Sequence, residues 1–333
     1  MARPSVFITQ PLEKSALERL RQVMDVMINP NSSRTIVKEE LISGVDKKDY
    51  LFCRLGDIVD ADVIQAGQKL KLIATMALTP GQIDVQAATR RKIAIAVPVQ
   101  GALVDGIAEA TADINWALMM AVARRVVEGD KLVRAGIFPG PQSMHLLGAP
   151  VNGKTLGIIG MGKIGKAVAR RGAGFGMKIL YYSRKRHQDA EDQFGALYVT
   201  LENLLENADF VSVHTEYSPE THHLMGANEF SLMKSSAFLI NTSRGPIVDQ
   251  AALMDALKSN KIAGAAIDVF EDEPHPHLSK AFVEMKNVVF TPHLGSAVPE
   301  LREAMANAVV DSILEFRAGK RPATICNPEV FDT

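Results

Sequence analysis

Leu156-Gly157-Ile158-Ile159-Gly160-Met161-Gly162-Lys163-Ile164-Gly165 joins an apolar run to a glycine-rich turn. Residues 156–159 are a short apolar run that reads as a strand, and residues 166–171 continue as a helix. Between them Gly160, Gly162 and Gly165 stand in GxGxxG spacing. In that context each glycine has its own task. The first permits a tight turn, the second lets backbone approach a pyrophosphate, and the third lets the helix pack closely on the strand. The helix start adds unpaired N–H donors and a partial positive charge. A dinucleotide site is expected here, with Met161, Lys163 and Ile164 in the same turn.

Outward from this turn the alternation of short apolar runs and helical stretches continues. Residues 179–182, 210–213, 237–240, 265–269 and 288–290 read as strands downstream, and 6–8, 26–28, 50–52, 72–74 and 93–95 upstream. Alternation of this kind predicts parallel sheets with helices on both faces, in two α/β domains of doubly wound topology. One stretch breaks the rhythm. Residues 104–133 are nearly free of Gly and Pro and rich in Ala, Met and Leu, and they read as one long connecting helix. The last apolar rhythm, 299–317, ends at Gly319 and is expected to pack back on the first domain.

With 333 residues, two cores are a better expectation than one. A hydrophobic share of 47% suits a packed enzyme and not a disordered chain. A formal net charge of −1 provides no field for DNA or anionic lipid, so no nucleic-acid or membrane partner is expected. Cys53 and Cys326 are far apart and outside any CxxC spacing, which suggests neither a disulfide framework nor a metal site. Residues 1–10 lack the signature of a signal peptide, and the expected location is the cytoplasm.

The strand at 178–182 should end near the adenosine ribose, where an NAD enzyme usually places Asp or Glu. Ser183, Arg184, Lys185 and Arg186 stand there instead. A hydroxyl beside cations suits a 2′-phosphate through charge-assisted hydrogen bonds. The expected cofactor is therefore NADP(H), with NAD(H) as the alternative.

Three polar residues follow predicted strands: Arg244 in Asn241-Thr242-Ser243-Arg244-Gly245, Glu273 in Asp268-Val269-Phe270-Glu271-Asp272-Glu273-Pro274, and His293 in Thr291-Pro292-His293-Leu294-Gly295-Ser296. Arg244 can bind a carboxylate in bidentate fashion and polarise the neighbouring carbonyl. His293 can protonate the carbonyl oxygen, and Glu273 can fix its tautomer and favour the imidazolium. Together these groups can reduce a 2-oxo acid, or oxidise a 2-hydroxy acid.

These blocks, with Glu109-Ala110-Thr111-Ala112-Asp113, Gly153-Lys154-Thr155-Leu156 and Leu180-Tyr181-Tyr182-Ser183-Arg184, make the chain resemble the D-isomer-specific 2-hydroxyacid dehydrogenases. The likeness is greatest to their glyoxylate and hydroxypyruvate reductases. It implies a flavodoxin-like substrate domain over 1–100 plus 296–333, a Rossmann nucleotide-binding domain over 101–295, and a homodimer. It implies catalytic roles for Arg244, Glu273 and His293, and places Asp268 near the nicotinamide. His214, Thr215, Thr221, Thr242, Ser243 and Gly295 are further cofactor-binding positions that it implies. For the substrate it implies Leu55, Leu78 and Thr79 beside Arg244 and His293.

The chain also departs from the family. The substrate loop that usually reads Val-Gly-Tyr-Asp is here Leu78-Thr79-Pro80-Gly81, and Pro80 has no N–H to offer. The Trp that some glyoxylate reductases send from a neighbouring subunit falls near Pro141, and the usual Val-Pro of the adenine pocket is Thr215-Glu216. Leu78 in place of Lys counts against phosphite, and Glu273 in place of Gln against formate. A dehydrogenase for a bulkier 2-oxo acid or sugar acid, and a cofactor-sensing corepressor-like protein, stay open as alternatives.

Overall fold

A computed structural model describes residues 3–31, 33–98 and 101–332. The chain divides into two compact units, Met1–Val104 with Val298–Thr333, and Asp105–Ala297.

In the first unit β1 (Ser5–Ile8), β2 (Asp25–Ile28), β3 (Tyr50–Cys53), β4 (Leu72–Thr75) and β5 (Ala94–Ala96) form a parallel sheet in the order β2-β1-β3-β4-β5. β3, β4 and β5 are buried at every position, while the edge strand β2 alternates between exposed and half-buried. This contrast follows from helices covering both faces of a parallel sheet. Two of those helices start on side-chain caps, Asp60 accepting from the Asp62 and Val63 N–H groups and Asp84 from Ala87. The C-terminal helix Pro299–Arg317 buries Met305, Val309, Val310 and Ile313 and packs on Lys14–Val23 and β4. Beyond it, buried Asn327 accepts from the Ile95 N–H at 2.8 Å and donates to the Ile93 carbonyl at 2.9 Å, covering the β5 edge.

The second unit has seven parallel strands: β6 (Thr155–Ile159), β7 (Lys178–Tyr182), β8 (Leu197–Tyr198), β9 (Phe210–Val213), β10 (Phe238–Asn241), β11 (Gly264–Ile267) and β12 (Val288–Phe290). Their order, β12-β11-β10-β9-β6-β7-β8, reverses direction between β6 and β9. Ligands of open α/β sheets sit beyond the strand C-termini at such a reversal. The register aligns Tyr182, Ile159, Val213, Asn241, Ile267 and Phe290 in one row across six strands. The residues that follow this row, Ser183, Gly160, His214, Thr242, Asp268 and Thr291, therefore emerge at one level of the sheet.

Two elements differ from the sequence expectation. The long helix of 104–133 is two helices, Ala102–Ala123 and Val126–Arg134, separated at Arg125 with φ +56°. No Gly or Pro marks the break. Arg125 instead holds Glu128 through two bonds of 2.9 and 2.5 Å, which offsets the left-handed backbone. β8 is only two exposed residues at the sheet edge, too short to carry a period of its own. No helix among the described residues is long and apolar enough to cross a membrane.

Candidate active site

At the end of β6, Gly160 has φ +97°, and a Cβ there would lie 2.6 Å from the Thr215 nitrogen. At Gly165 a Cβ would lie 2.2 Å from the Gly160 carbonyl oxygen. At Gly162 it would meet nothing within 4 Å. The first and third glycines are thus required by the fold and the second leaves open space. Gly162 also caps the helix Lys163–Gly174 without a side-chain bond, so the first-turn N–H groups stay available to an anion. This backbone-lined cradle fits a pyrophosphate. Around it Met161 is buried in the core, Ile164 packs against the same core, and the Lys163 ammonium lies 2.5 Å from Asp105.

Beyond β7, Ser183 is half-buried and its carbonyl accepts from the Tyr198 hydroxyl at 3.1 Å. Arg184 and Lys185 are exposed. Arg186 belongs to a separate structural network, bound to Glu191 at 2.7 and 2.6 Å, while Glu191 accepts from Tyr181 at 2.7 Å. Ser183, Arg184 and Lys185 stand outside that network.

The ends of β9 and β10 are joined by a buried polar network that sequence reasoning missed. Asn115 donates to Ser212 at 2.8 Å and to Thr242 at 3.2 Å, and the Ser212 hydroxyl lies 2.7 Å from His214 Nε2. With its oxygen accepting from Asn115, Ser212 directs its proton to Nε2, which assigns the His214 hydrogen to Nδ1. Burial pushes the His214 pKa down to about 3, so the ring is neutral. An Asn inside a long apolar helix was the available signal. Ser243 donates to the Thr215 carbonyl. Thr221 is engaged in its own turn, accepting from Ser218 N–H at 2.7 Å and donating to the Glu216 carbonyl at 2.8 Å.

After β10, Asn241 accepts from Ser243 N–H and donates to the Arg244 carbonyl, both at 3.1 Å. This closed turn presents Arg244 as an exposed side chain. After β11, Glu273 accepts from Phe270 N–H at 2.8 Å through one oxygen, and its other oxygen lies 2.7 Å from His293 Nδ1. A carboxylate only accepts, so Nδ1 carries a proton and Nε2 points away from this bond. His293 itself has φ +58°, a conformation held by Asp268. The Asp268 carbonyl accepts from His293 N–H at 2.8 Å, and its carboxylate from Thr291, Leu294 and Gly295 at 2.6, 2.7 and 3.1 Å. Burial raises the Asp268 pKa against the pull of these bonds. Asp268 is thus the buried organiser of the His293 turn, and Gly295, also buried, is part of it.

In the first unit the substrate-loop candidates gather at the ends of β3 and β4. Leu55 is exposed, Leu78 half-buried and Thr79 exposed. Gly81, at φ +62°, would place a Cβ 3.6 Å from Leu55 Cδ1, so the two loops adjoin. The Val59–Ile83 bridge anchors the second loop. At the β1/β3 reversal Thr9 donates to buried Asp57 at 2.5 Å, Asp57 accepts from Arg54 N–H at 2.7 Å, and the half-buried Arg54 side chain donates to the Pro11 carbonyl.

Comparison with known proteins agrees with this geometry. The family model described as D-isomer specific 2-hydroxyacid dehydrogenase, NAD binding domain, matches residues 116–295. A glyoxylate reductase of Thermococcus litoralis is 42% identical over 335 residues, covering 99% of this chain and 98% of its own. A crystal structure of a Thermus thermophilus protein superposes with a TM-score of 0.85 at 36% identity, covering 97% of this chain and 99% of that one. An NADPH-dependent glyoxylate/hydroxypyruvate reductase of Sinorhizobium meliloti, solved with NADP and malonate, gives 0.77 at 26% identity over 98% of each chain. With its glycine turn, its aligned strand ends and near-complete overlap with these relatives, the chain belongs to the D-isomer-specific 2-hydroxyacid dehydrogenases, nicotinamide-dependent oxidoreductases.

Proposed function

We propose that this chain reduces a small 2-oxo acid of the glyoxylate or hydroxypyruvate kind, reversibly, to the D-2-hydroxy acid, with NADP(H) favoured over NAD(H). The observation that carries the reading is the 2.7 Å bond from Glu273 to His293, in turns beyond adjacent strands, next to the strand that presents Arg244. Arg244 binds the substrate carboxylate with its planar fork and draws electron density from the neighbouring carbonyl. His293 Nε2 donates a proton to the carbonyl oxygen and recovers it in the reverse direction. Glu273, fixed by Phe270 N–H, keeps the ring oriented and stabilises its positive charge. Gly160, Gly162 and Gly165 with the helix start hold the dinucleotide, whose nicotinamide supplies the hydride when bound.

The cofactor preference rests on Ser183, Arg184 and Lys185, with no carboxylate among them to repel a 2′-phosphate. A homodimer is supported by an apolar surface on the second unit. The helix Val126–Arg134 buries none of its residues, and Phe138 and Met144 beyond it are 79% and 81% exposed. Exposed patches of this kind mark protein interfaces. Two unpaired cysteines suit a cytoplasmic enzyme.

The test is a spectrophotometric panel of glyoxylate, hydroxypyruvate, 2-ketogluconate, pyruvate and phenylpyruvate with NADPH and NADH. The highest kcat/KM is expected for glyoxylate or hydroxypyruvate with NADPH. A maximum at 2-ketogluconate or phenylpyruvate overturns the substrate reading, and a preference of about tenfold for NADH overturns the cofactor reading.

A further inference from the structure

We propose that His223 is a positioning residue of the reaction, gripping Glu271 so that the turn carrying Glu273 is held against the turn carrying Arg244. The inference rests on the roles given above to Arg244, Glu273 and His293.

Two short turns must keep a fixed relation for these three side chains to meet one substrate. The first is the single helical turn Gly245–Ile247 that follows Arg244, and the second is the 270–273 segment that ends on Glu273. They touch backbone to backbone. A Cβ on Gly245 would lie 1.9 Å from the Phe270 carbonyl and 2.4 Å from the Glu271 nitrogen, so no side chain separates them. Contact alone fixes distance but leaves sliding cheap, because dispersion is weakly directional. Hydrogen bonds supply the direction.

His223 makes them to both turns. Its backbone N–H donates to the Pro246 carbonyl at 2.8 Å, and its ring Nε2 lies 2.6 Å from Glu271 Oε1. The carboxylate accepts, so Nε2 is the donor. The grip is itself braced. His223 has φ +52°, and the chain beyond it runs beside 246–249, with Met225 N–H donating to the Ile247 carbonyl at 3.1 Å and Asp249 N–H to the Met225 carbonyl at 3.0 Å. The His222 ring stacks on that of His223 at 3.9 Å, and the second Glu271 oxygen lies 3.4 Å from Gln250 N–H at a helix start. Displacement of Glu271 is passed directly to the catalytic pair, because Phe270 N–H donates to Glu273 at 2.8 Å and closes the turn on itself. The connection therefore runs from Arg244 through Pro246, His223, Glu271 and Glu273 to His293. A small misplacement along such a connection is expensive in rate, on the order of 100-fold for about 1 Å.

The test uses the full chain with His223→Ala, His223→Gln, Glu271→Ala and the double variant His223→Ala/Glu271→Ala. Gln can replace the Nε2 donor. The readouts are kcat and KM for the best 2-oxo acid of the panel, the Kd of oxamate on NADPH-saturated enzyme, the Kd of NADPH alone, and Tm. His223→Ala is expected to lower kcat/KM by roughly 10- to 100-fold and to weaken oxamate, with the NADPH Kd changed by less than about twofold. His223→Gln restores most of the loss, and the double variant is no worse than the worse single one, as expected of coupled groups. If His223→Ala does not fold, Glu271→Ala and His223→Gln carry the same comparison. The inference is overturned if kcat/KM stays within about twofold, if Gln is as damaging as Ala, if the two losses multiply, or if NADPH affinity falls in step with activity. His293→Gln in the same assay separates the two levels. An inactive His293→Gln beside wild-type-like His223→Ala defeats only the positioning inference, whereas an active His293→Gln defeats the catalytic reading and this inference with it.

Discussion

At Gly160, Gly162 and Gly165 the same added methyl group meets three different surroundings, and only at Gly162 is there room for it. Gly162→Ala is therefore expected to leave stability within about 1 kcal/mol of the parent while raising the NADPH Kd about tenfold or more, because the methyl occupies the cradle. Chemical denaturation and fluorescence titration read the two quantities separately, and unchanged affinity would show that the pyrophosphate lies elsewhere. His214 gives a second residue-scale expectation. Its folded pKa of about 3 lies below the ordinary 6.5, so between these values the unfolded chain binds a proton that the folded chain refuses. Stability from this group is full above pH 6.5 and is lost as pH falls toward 3. Between pH 7 and 5 the parent is expected to lose about 2 kcal/mol more than His214→Gln in urea titrations. Equal losses would show the ring to be hydrated. Arg244, Glu273 and His293 stand out as candidates in the sequence because each lies just past an apolar run in a distinctive block, and the structure puts them in turns after β10, β11 and β12. His223 is not legible, since its partners Pro246 and Glu271 are distant in sequence and meet only through the sheet register.

Among the elements, the alignment of Tyr182, Ile159, Val213, Asn241, Ile267 and Phe290 brings short sequence motifs scattered over more than a hundred residues out at one level of the sheet. Strand existence is readable from apolar runs, and the positions just beyond those runs are where the candidate residues stand. What escapes is what local composition does not encode: the Arg125 break, stabilised by a side chain three residues on, and the two-residue edge strand β8. Under the proposed function the turn after β7 carries the cofactor choice, and Ser183→Asp is expected to invert it. A carboxylate there favours the ribose hydroxyl over a phosphate, so the NADPH/NADH ratio of kcat/KM is expected to fall by about tenfold or more. An unaltered ratio would remove this turn from the cofactor site.

For the molecule as a whole, the first unit is completed by its returning C-terminal segment, whose Asn327 has no recognisable motif and whose role emerges only beside β5. The exposed apolar surface around Phe138 and Met144 makes oligomeric state an expectation of the same scale. Sedimentation should find a dimer in the parent and a monomer in the variant carrying both Phe138→Asp and Met144→Asp, since buried unpaired charge is strongly unfavourable. A monomeric parent would contradict the proposed interface. In the proposed function His293, held by Glu273, is the proton donor of a 2-oxo acid reductase that favours NADPH. The most direct measurement is the kcat of His293→Gln with glyoxylate, alongside its NADPH Kd. A fall in kcat of at least about 100-fold with cofactor affinity unchanged is the expected result, and near-normal turnover would show that another group donates the proton.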